Sequence, residues 1–157
     1  MKTILCSAFV TAILLTGCGE GSTTTSQVSA VDYSIIDSGD YPINALYSNR
    51  KIEVFHDQDS LDQSLAAYTS YIFESTIDFA SKQVILFNMG TRTNGGFNIS
   101  IESIEDNRDY LNVKVLLEEP GSNCGTAQVI TSPYLFIEVN STVEVTFEEK
   151  FIKVNCD

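Results

Sequence analysis

The chain of 157 residues contains no tryptophan, one histidine (His56), three prolines, and nine lysines and arginines against 21 aspartates and glutamates. Each shortage closes a class of function. A formal net charge of -12 repels phosphate backbones and anionic lipid surfaces, which argues against nucleic-acid binding. A single histidine excludes most zinc sites built on histidine and leaves one candidate base for any nucleophilic triad. No G-x-S-x-G elbow surrounds a serine, and no G-x-G-x-x-G or Walker loop offers a phosphate cradle. Glu118-Glu119 and Glu148-Glu149 are the obvious carboxylate pairs, but both fall in expected connections, where glutamates are commonly solvated. Asp57, Asp59 and Asp62 lack the glycine and distal glutamate of a calcium loop. The sequence therefore predicts no enzyme, no catalytic residue, no metal site and no cofactor. At 43% hydrophobic residues, with seven tyrosines and nine phenylalanines, it does predict a folded domain.

The N-terminus carries the most specific signal. Lys2 precedes an apolar run from Ile4 to Leu15, too short for the roughly 20 residues that span a bilayer, so the segment reads as an export signal. Leu15-Thr16-Gly17-Cys18 resembles the lipobox of bacterial lipoproteins, in which the cysteine is acylated and becomes the first residue. The expected organisation is a signal peptide over 1–17, a lipidated Cys18 with a flexible Ser/Thr-rich tether over 18–30, and one domain over 31–157. Anchoring to a membrane through N-terminal acyl chains follows, without spanning it. Gly19 stands where an inner-membrane retention aspartate would be, which points to the outer membrane of a bacterial cell envelope, on its periplasmic or surface face. Cys6 leaves with the signal and Cys18 is acylated, so Cys124 and Cys156 are left to pair in an oxidising compartment. The loop they would close restricts the unfolded chain by roughly 3.7 kcal/mol in the entropy model.

The body reads as mainly β, an antiparallel β-sandwich or partly open barrel, with one short α-helix packed on it. Phe97, Ile99 and Ile101 alternate with polar residues, as do Leu111, Val113, Val115 and Leu117, with Glu105–Asp109 as the hairpin connection. Val84–Phe87 is apolar on both faces and suggests a central strand. Leu135–Val139, Val143–Phe147 and Phe151–Val154 suggest a meander linked at Asn140-Ser141 and Glu148-Glu149. Leu61, Leu65, Tyr68 and Ile72 lie on one helical face, capped by Asp59 or Ser60, with Asp62 in the first turn. His56 ends a strand beside this acidic segment and is expected at the surface.

Two loops stand out. Gly90-Thr91-Arg92-Thr93-Asn94-Gly95-Gly96-Phe97 joins two strands through a turn in which positive φ is available to glycine, and Thr131-Ser132-Pro133-Tyr134 interrupts a strand with proline. Together with Ile77-Asp78-Phe79, Gln83–Phe87 and Gln128-Val129-Ile130, these segments resemble, in order and spacing, the PrcB C-terminal domain family. That family shows a D-F pair before a buried strand, a G-x-R-P-T-G-G-Y turn, and a T-Q-A-hydrophobic-T-S-P-Y segment. Here Thr93, Asn94, Phe97 and Val129 depart from the pattern, and Thr93 lacks the fixed φ of proline. The resemblance implies a small non-catalytic β-rich domain, of a family named for a lipoprotein subunit of a protease complex. The functional expectation is a lipid-anchored protein-binding or assembly module whose partner is an envelope protein such as a protease. Arg92, Asn94, Gly95, Gly96, Phe97, Thr131, Ser132, Pro133 and Tyr134 are the candidate binding residues. The alternative is a protease inhibitor of the chagasin-like type, to whose N-P-T-T-G-Y loop the glycine turn bears a faint likeness.

Overall fold

A computed structural model describes residues 29–42, 44, 48–70, 73 and 75–156. The signal segment, Cys18, most of the tether and Ile72 lie outside the described residues. Eight strands and one helix follow in order: β1 (Ser29–Ala30), β2 (Tyr33–Gly39), β3 (Lys51–Phe55), α1 (Gln58–Tyr68), β4 (Gln83–Asn88), β5 (Asn98–Asp106), β6 (Tyr110–Pro120), β7 (Tyr134–Val139) and β8 (Glu144–Val154). They form two four-stranded sheets, ordered β1-β5-β6-β8 and β2-β7-β4-β3, with no closed barrel. Ser29 and Ala30, the last two residues of the expected tether, pair with Asp106 and Glu105.

All six residues of β4 are buried because the strand serves two cores. Ile85 and Phe87 face the other sheet, packing with Val113 and Val115 of β6 and Ile137 of β7. Val84 and Leu86 face α1, packing with Leu61, Leu65, Tyr68 and Phe136. The predicted helical face is the one that docks. The cap differs from expectation: Asp57, not Asp59 or Ser60, precedes α1 in an extended conformation and its carboxylate accepts from the Ser60 N–H at 2.8 Å. Hydrogen bonds from the backbone and hydroxyl of Ser60 hold the Asp57 carboxyl below the usual carboxylate range. Asp59 occupies the first turn, and Asp62 instead accepts from Gln58 at 2.7 Å.

The β5–β6 hairpin turns at residues 107–109, tighter than the expected connection, with Arg108 at φ 74° and its N–H donated to Asp106. The C-terminal meander is not formed. β7 and β8 belong to different sheets, the link at Asn140-Ser141 is a crossover, and β8 is one eleven-residue strand parallel to β6. Glu148-Glu149 is not a turn: both residues lie in unbroken register against Lys114 and Val115 of β6, and Glu149 also forms an ion pair with Arg50, next to β3 of the other sheet. Cys124 and Cys156 are bonded, fastening the C-terminus to the loop after β6. His56 is exposed just beyond β3, as expected.

Leu86, fully buried between β4 and α1, has no room to relax on truncation. Leu86→Ala is expected to lower unfolding free energy in urea by about 3 kcal/mol, against under about 1 kcal/mol for Ile35→Ala on the exposed β2 edge.

Candidate functional site

The two loops marked in the sequence lie side by side, and a buried asparagine at the end of β4 joins them. Asn88 is 2% exposed. Its amide donates to the Tyr68 hydroxyl at 2.7 Å and to Ser48 at 3.1 Å, while its carbonyl accepts from the Gly90 N–H at 2.5 Å and the Ser132 hydroxyl at 3.2 Å. Both donors and both lone pairs are used, the condition under which a buried amide stabilises a fold. Four segments converge there: the end of α1, the approach to β3, the turn after β4 and the entry to β7.

Gly90 is required by this convergence. Its φ is +72° and a Cβ would stand 2.6 Å from the Arg50 backbone nitrogen. Beyond it, Arg92 and Thr131 form an isolated bridge, donating to each other's carbonyls at 2.7 and 3.0 Å, and the Thr131 hydroxyl donates to the Asn94 carbonyl at 3.1 Å. The Arg92 guanidinium lies 5.3 Å from the Phe97 ring centre, and its Nε is buried without an acceptor among the described residues. The Asn94 side chain donates to the Thr126 hydroxyl at 3.2 Å and the Gly95 N–H to the Ala127 carbonyl at 3.0 Å, so the turn lies flat against residues 126–131.

The two motifs divide by exposure. Thr131, Ser132, Pro133 and Tyr134 are all buried. The Ser132 N–H bonds the Asp40 carbonyl at 2.8 Å, the Pro133 carbonyl accepts from the Met89 N–H at 2.9 Å, and the Tyr134 hydroxyl donates to Asp37 at 3.1 Å. These four residues brace the fold and their side chains offer little to a partner. Thr93, Gly96 and Gln128–Ile130 are exposed, with Arg92, Asn94, Gly95 and Phe97 half-buried.

Two grooves of about 360 Å3 each open beside this ridge and share Asp40. One runs between β2 and β5, past Ile35, Gly39, Asn98 and Tyr134. The other is lined by Tyr41, Gly95, Gly96, Pro120, Ala127 and the Cys124–Cys156 disulfide. Partial burial pushes the Asp40 carboxyl above its usual range. Residues 29–49 and 115–149 contain no lysine or arginine, so the grooves' polypeptide walls are acidic or neutral apart from the turn carrying Arg92. Asn88 and Asp40 were not singled out in the sequence. A lone asparagine closing an apolar strand two residues before a glycine was the available signal for Asn88; Asp40 had none.

Residues 83–140 match the family model described as PrcB C-terminal. That span begins with β4, ends just after β7, and contains Asn88 and both loops, with Ser48 and Tyr68 outside it. No curated protein and no solved structure gives a significant match.

Replacing Asn88 by leucine keeps shape but takes the partner from the Gly90 N–H and the Tyr68 hydroxyl, and leaves the Ser48 and Ser132 hydroxyls only each other at 3.3 Å. Asn88→Leu is expected to cost about 2–4 kcal/mol in denaturant unfolding, more than an ordinary hydrogen bond contributes. Burial, followed by the Asp37 charge and hydrogen bond, pushes the Tyr134 phenol well above the usual range. A folded-state value above the unfolded one means stability that is complete below about pH 10 and lost as pH rises toward the folded value. Melting curves recorded upward from about pH 9 should therefore fall more gently for Tyr134→Phe than for the parent chain.

Proposed function

We propose, taking the match of residues 83–140 to the PrcB C-terminal family as premise, that this chain is a non-catalytic binding or assembly module of a protease complex. In this reading Cys18 carries the lipid anchor, the tether sets the domain off from the membrane, and the domain holds an envelope protein, the protease itself or a subunit of it. The observation that carries the reading is the ridge formed by the half-exposed turn at Asn94–Phe97 and the exposed segment 127–130, lying beside a groove lined mostly by small residues. Small side chains permit close backbone approach, and the exposed Tyr41, Val129 and Ile130 supply apolar contact around them. The surrounding polar groups are committed to the fold: the Ser132 hydroxyl donates to Asn88 and Thr131 is held by Asn94. The inhibitor alternative needs a loop that projects into a protease cleft, whereas this turn is tied down by the Gly95–Ala127 and Asn94–Thr126 bonds.

The two glycines give a clean test because they differ. Gly96 sits at φ +92° with Pro120 and Thr126 within 3.4 Å of an added Cβ, so substituting it strains the fold itself. Gly95 has no such φ and its added Cβ would meet Ala127 only at 4.0 Å, leaving a side chain free to extend into the groove. Crosslinking of the full chain in native envelopes, followed by affinity capture, should enrich one protease-complex protein with the parent chain and lose it with Gly95→Trp at an unchanged melting temperature. Capture that survives Gly95→Trp would remove this surface from the proposal. Cys18→Ala should move the protein to the soluble fraction and abolish acyl labelling. Micromolar inhibition of a papain-like or serine protease would favour the alternative instead.

A further inference from the structure

The two sheets leave four edges, and three of them are interrupted or short. β2 carries a bulge between Ile35 and Asp37, and β1, the edge strand beside β5, has two residues. β3 has five residues. β8 has eleven, paired with β6 in unbroken register from Glu144 to Val154, and no strand among the described residues covers its other side. The Val154 carbonyl accepts from the Gly121 N–H at 2.9 Å, so it points toward β6. By alternation the backbone groups of Val145, Phe147, Glu149, Phe151 and Lys153 point away, along an open edge about 36 Å long. Bulges and short strands are how proteins blunt such edges; β8 is left open, with Phe151 53% and Val154 44% exposed.

We infer that β8 is a self-association edge at which a second copy of this chain pairs antiparallel about a two-fold axis through Glu149. The strand is self-complementary in that register. Glu148 opposes Lys150 twice, Phe147 opposes Phe151 twice, and all eleven residues overlap. Phe147 already packs edge-on against Phe87, so its ring faces the sandwich interior and meets the partner strand's Phe151 on that side. The central Glu149 pair is neutralised because each carboxylate holds its own Arg50. Moving the axis to residue 148 sets Glu148 against itself, moving it to residue 150 sets Lys150 against itself, and moving it further shortens the overlap. Opposite charges and aromatic pairs directly across antiparallel strands stabilise the pairing, and like charges oppose it. The product is one continuous sheet, β1-β5-β6-β8 of one copy joined to β8-β6-β5-β1 of the next. Without much area beyond the strand edge, the association falls in the weak class, with micromolar dissociation.

A two-fold axis through one residue brings that residue beside its own copy and no other, which makes cysteine crosslinking decisive. In the full chain in native envelopes, Glu149→Cys should yield a disulfide-linked dimer on mild oxidation, since opposed residues in such pairs lie about 5.5 Å apart between Cα atoms. Val145→Cys should not, its copies being about 26 Å apart, yet Val145→Cys combined with Lys153→Cys should. Adding Glu148→Lys to Glu149→Cys places four lysines at the seam and should lower the yield about tenfold; adding Lys150→Glu as well restores the opposite charges and the yield. Val145 packs against the core and Glu149 is half-buried, so the melting temperature is measured for each variant. Equal crosslinking at 145 and 149, or a yield indifferent to Glu148→Lys, would overturn the inference.

Discussion

The fourfold use of the Asn88 amide is the constraint on which the rest of the molecule depends. β4 and β7 are the central pair of one sheet, and their pairing places Asn88 opposite Tyr134, with the turn of one strand against the entry of the other. An apolar residue at that point would take away the partner of the Gly90 N–H and the Tyr68 hydroxyl and leave Ser48 and Ser132 only each other, whereas asparagine bonds all four and so fixes where the chain turns. Because Tyr68 belongs to α1, the same side chain also sets the depth at which the helix docks. Aromatic contacts continue the seam, with Tyr68 edge-on to Phe136 at 5.3 Å and Tyr134 beside Tyr68 at 4.9 Å.

This arrangement explains why both family motifs are needed and why only part of one meets solvent. Thr131 to Tyr134 is the brace, holding the turn, the 37–40 segment and β4 together from inside. Gly90 to Phe97 is held by that brace at Arg92 and Asn94 and presents its far half outward. The buried brace and the solvent-facing turn are thus neighbouring but different residues, the arrangement of a loop positioned by a rigid scaffold. The disulfide has a similar double position. It closes the C-terminus against the loop after β6 and, at the same time, forms part of the groove wall beside Gly95 and Gly96.

Charge follows the same geometry. The few cations are spent on individual acids: Lys82 on Glu138, Lys114 on Glu105, Arg50 on Glu149 and Lys150 on Glu102. Most of these pairs are partly exposed and contribute little each to stability. What they do is place the remaining uncompensated acid elsewhere, including Asp37 and Asp40 along β2 and the grooves. The pair of Arg50 and Glu149 is the one that links the two sheets, with Glu149 seated in the register of β8 against β6.

By itself the sequence determined the β-rich class, the central apolar strand, the helical face that packs and the pairing of Cys124 with Cys156. All of these follow from local periodicity or from counting, which need no knowledge of what lies opposite. Tertiary structure alone decided that β8 is a single parallel strand and that Thr131–Tyr134 is a brace while Asn94–Phe97 faces solvent in part. Each of those depends on a partner distant in the chain: Val115 for Glu149, Asn88 for Ser132, Asp37 for Tyr134. An acidic pair looks like a turn until a strand distant in the chain pairs with it, and a conspicuous motif looks like a binding loop until its hydroxyls find acceptors inside. The physical reason is that hydrogen-bond satisfaction and burial are properties of pairs, and long-range pairs are not written in either residue's neighbours.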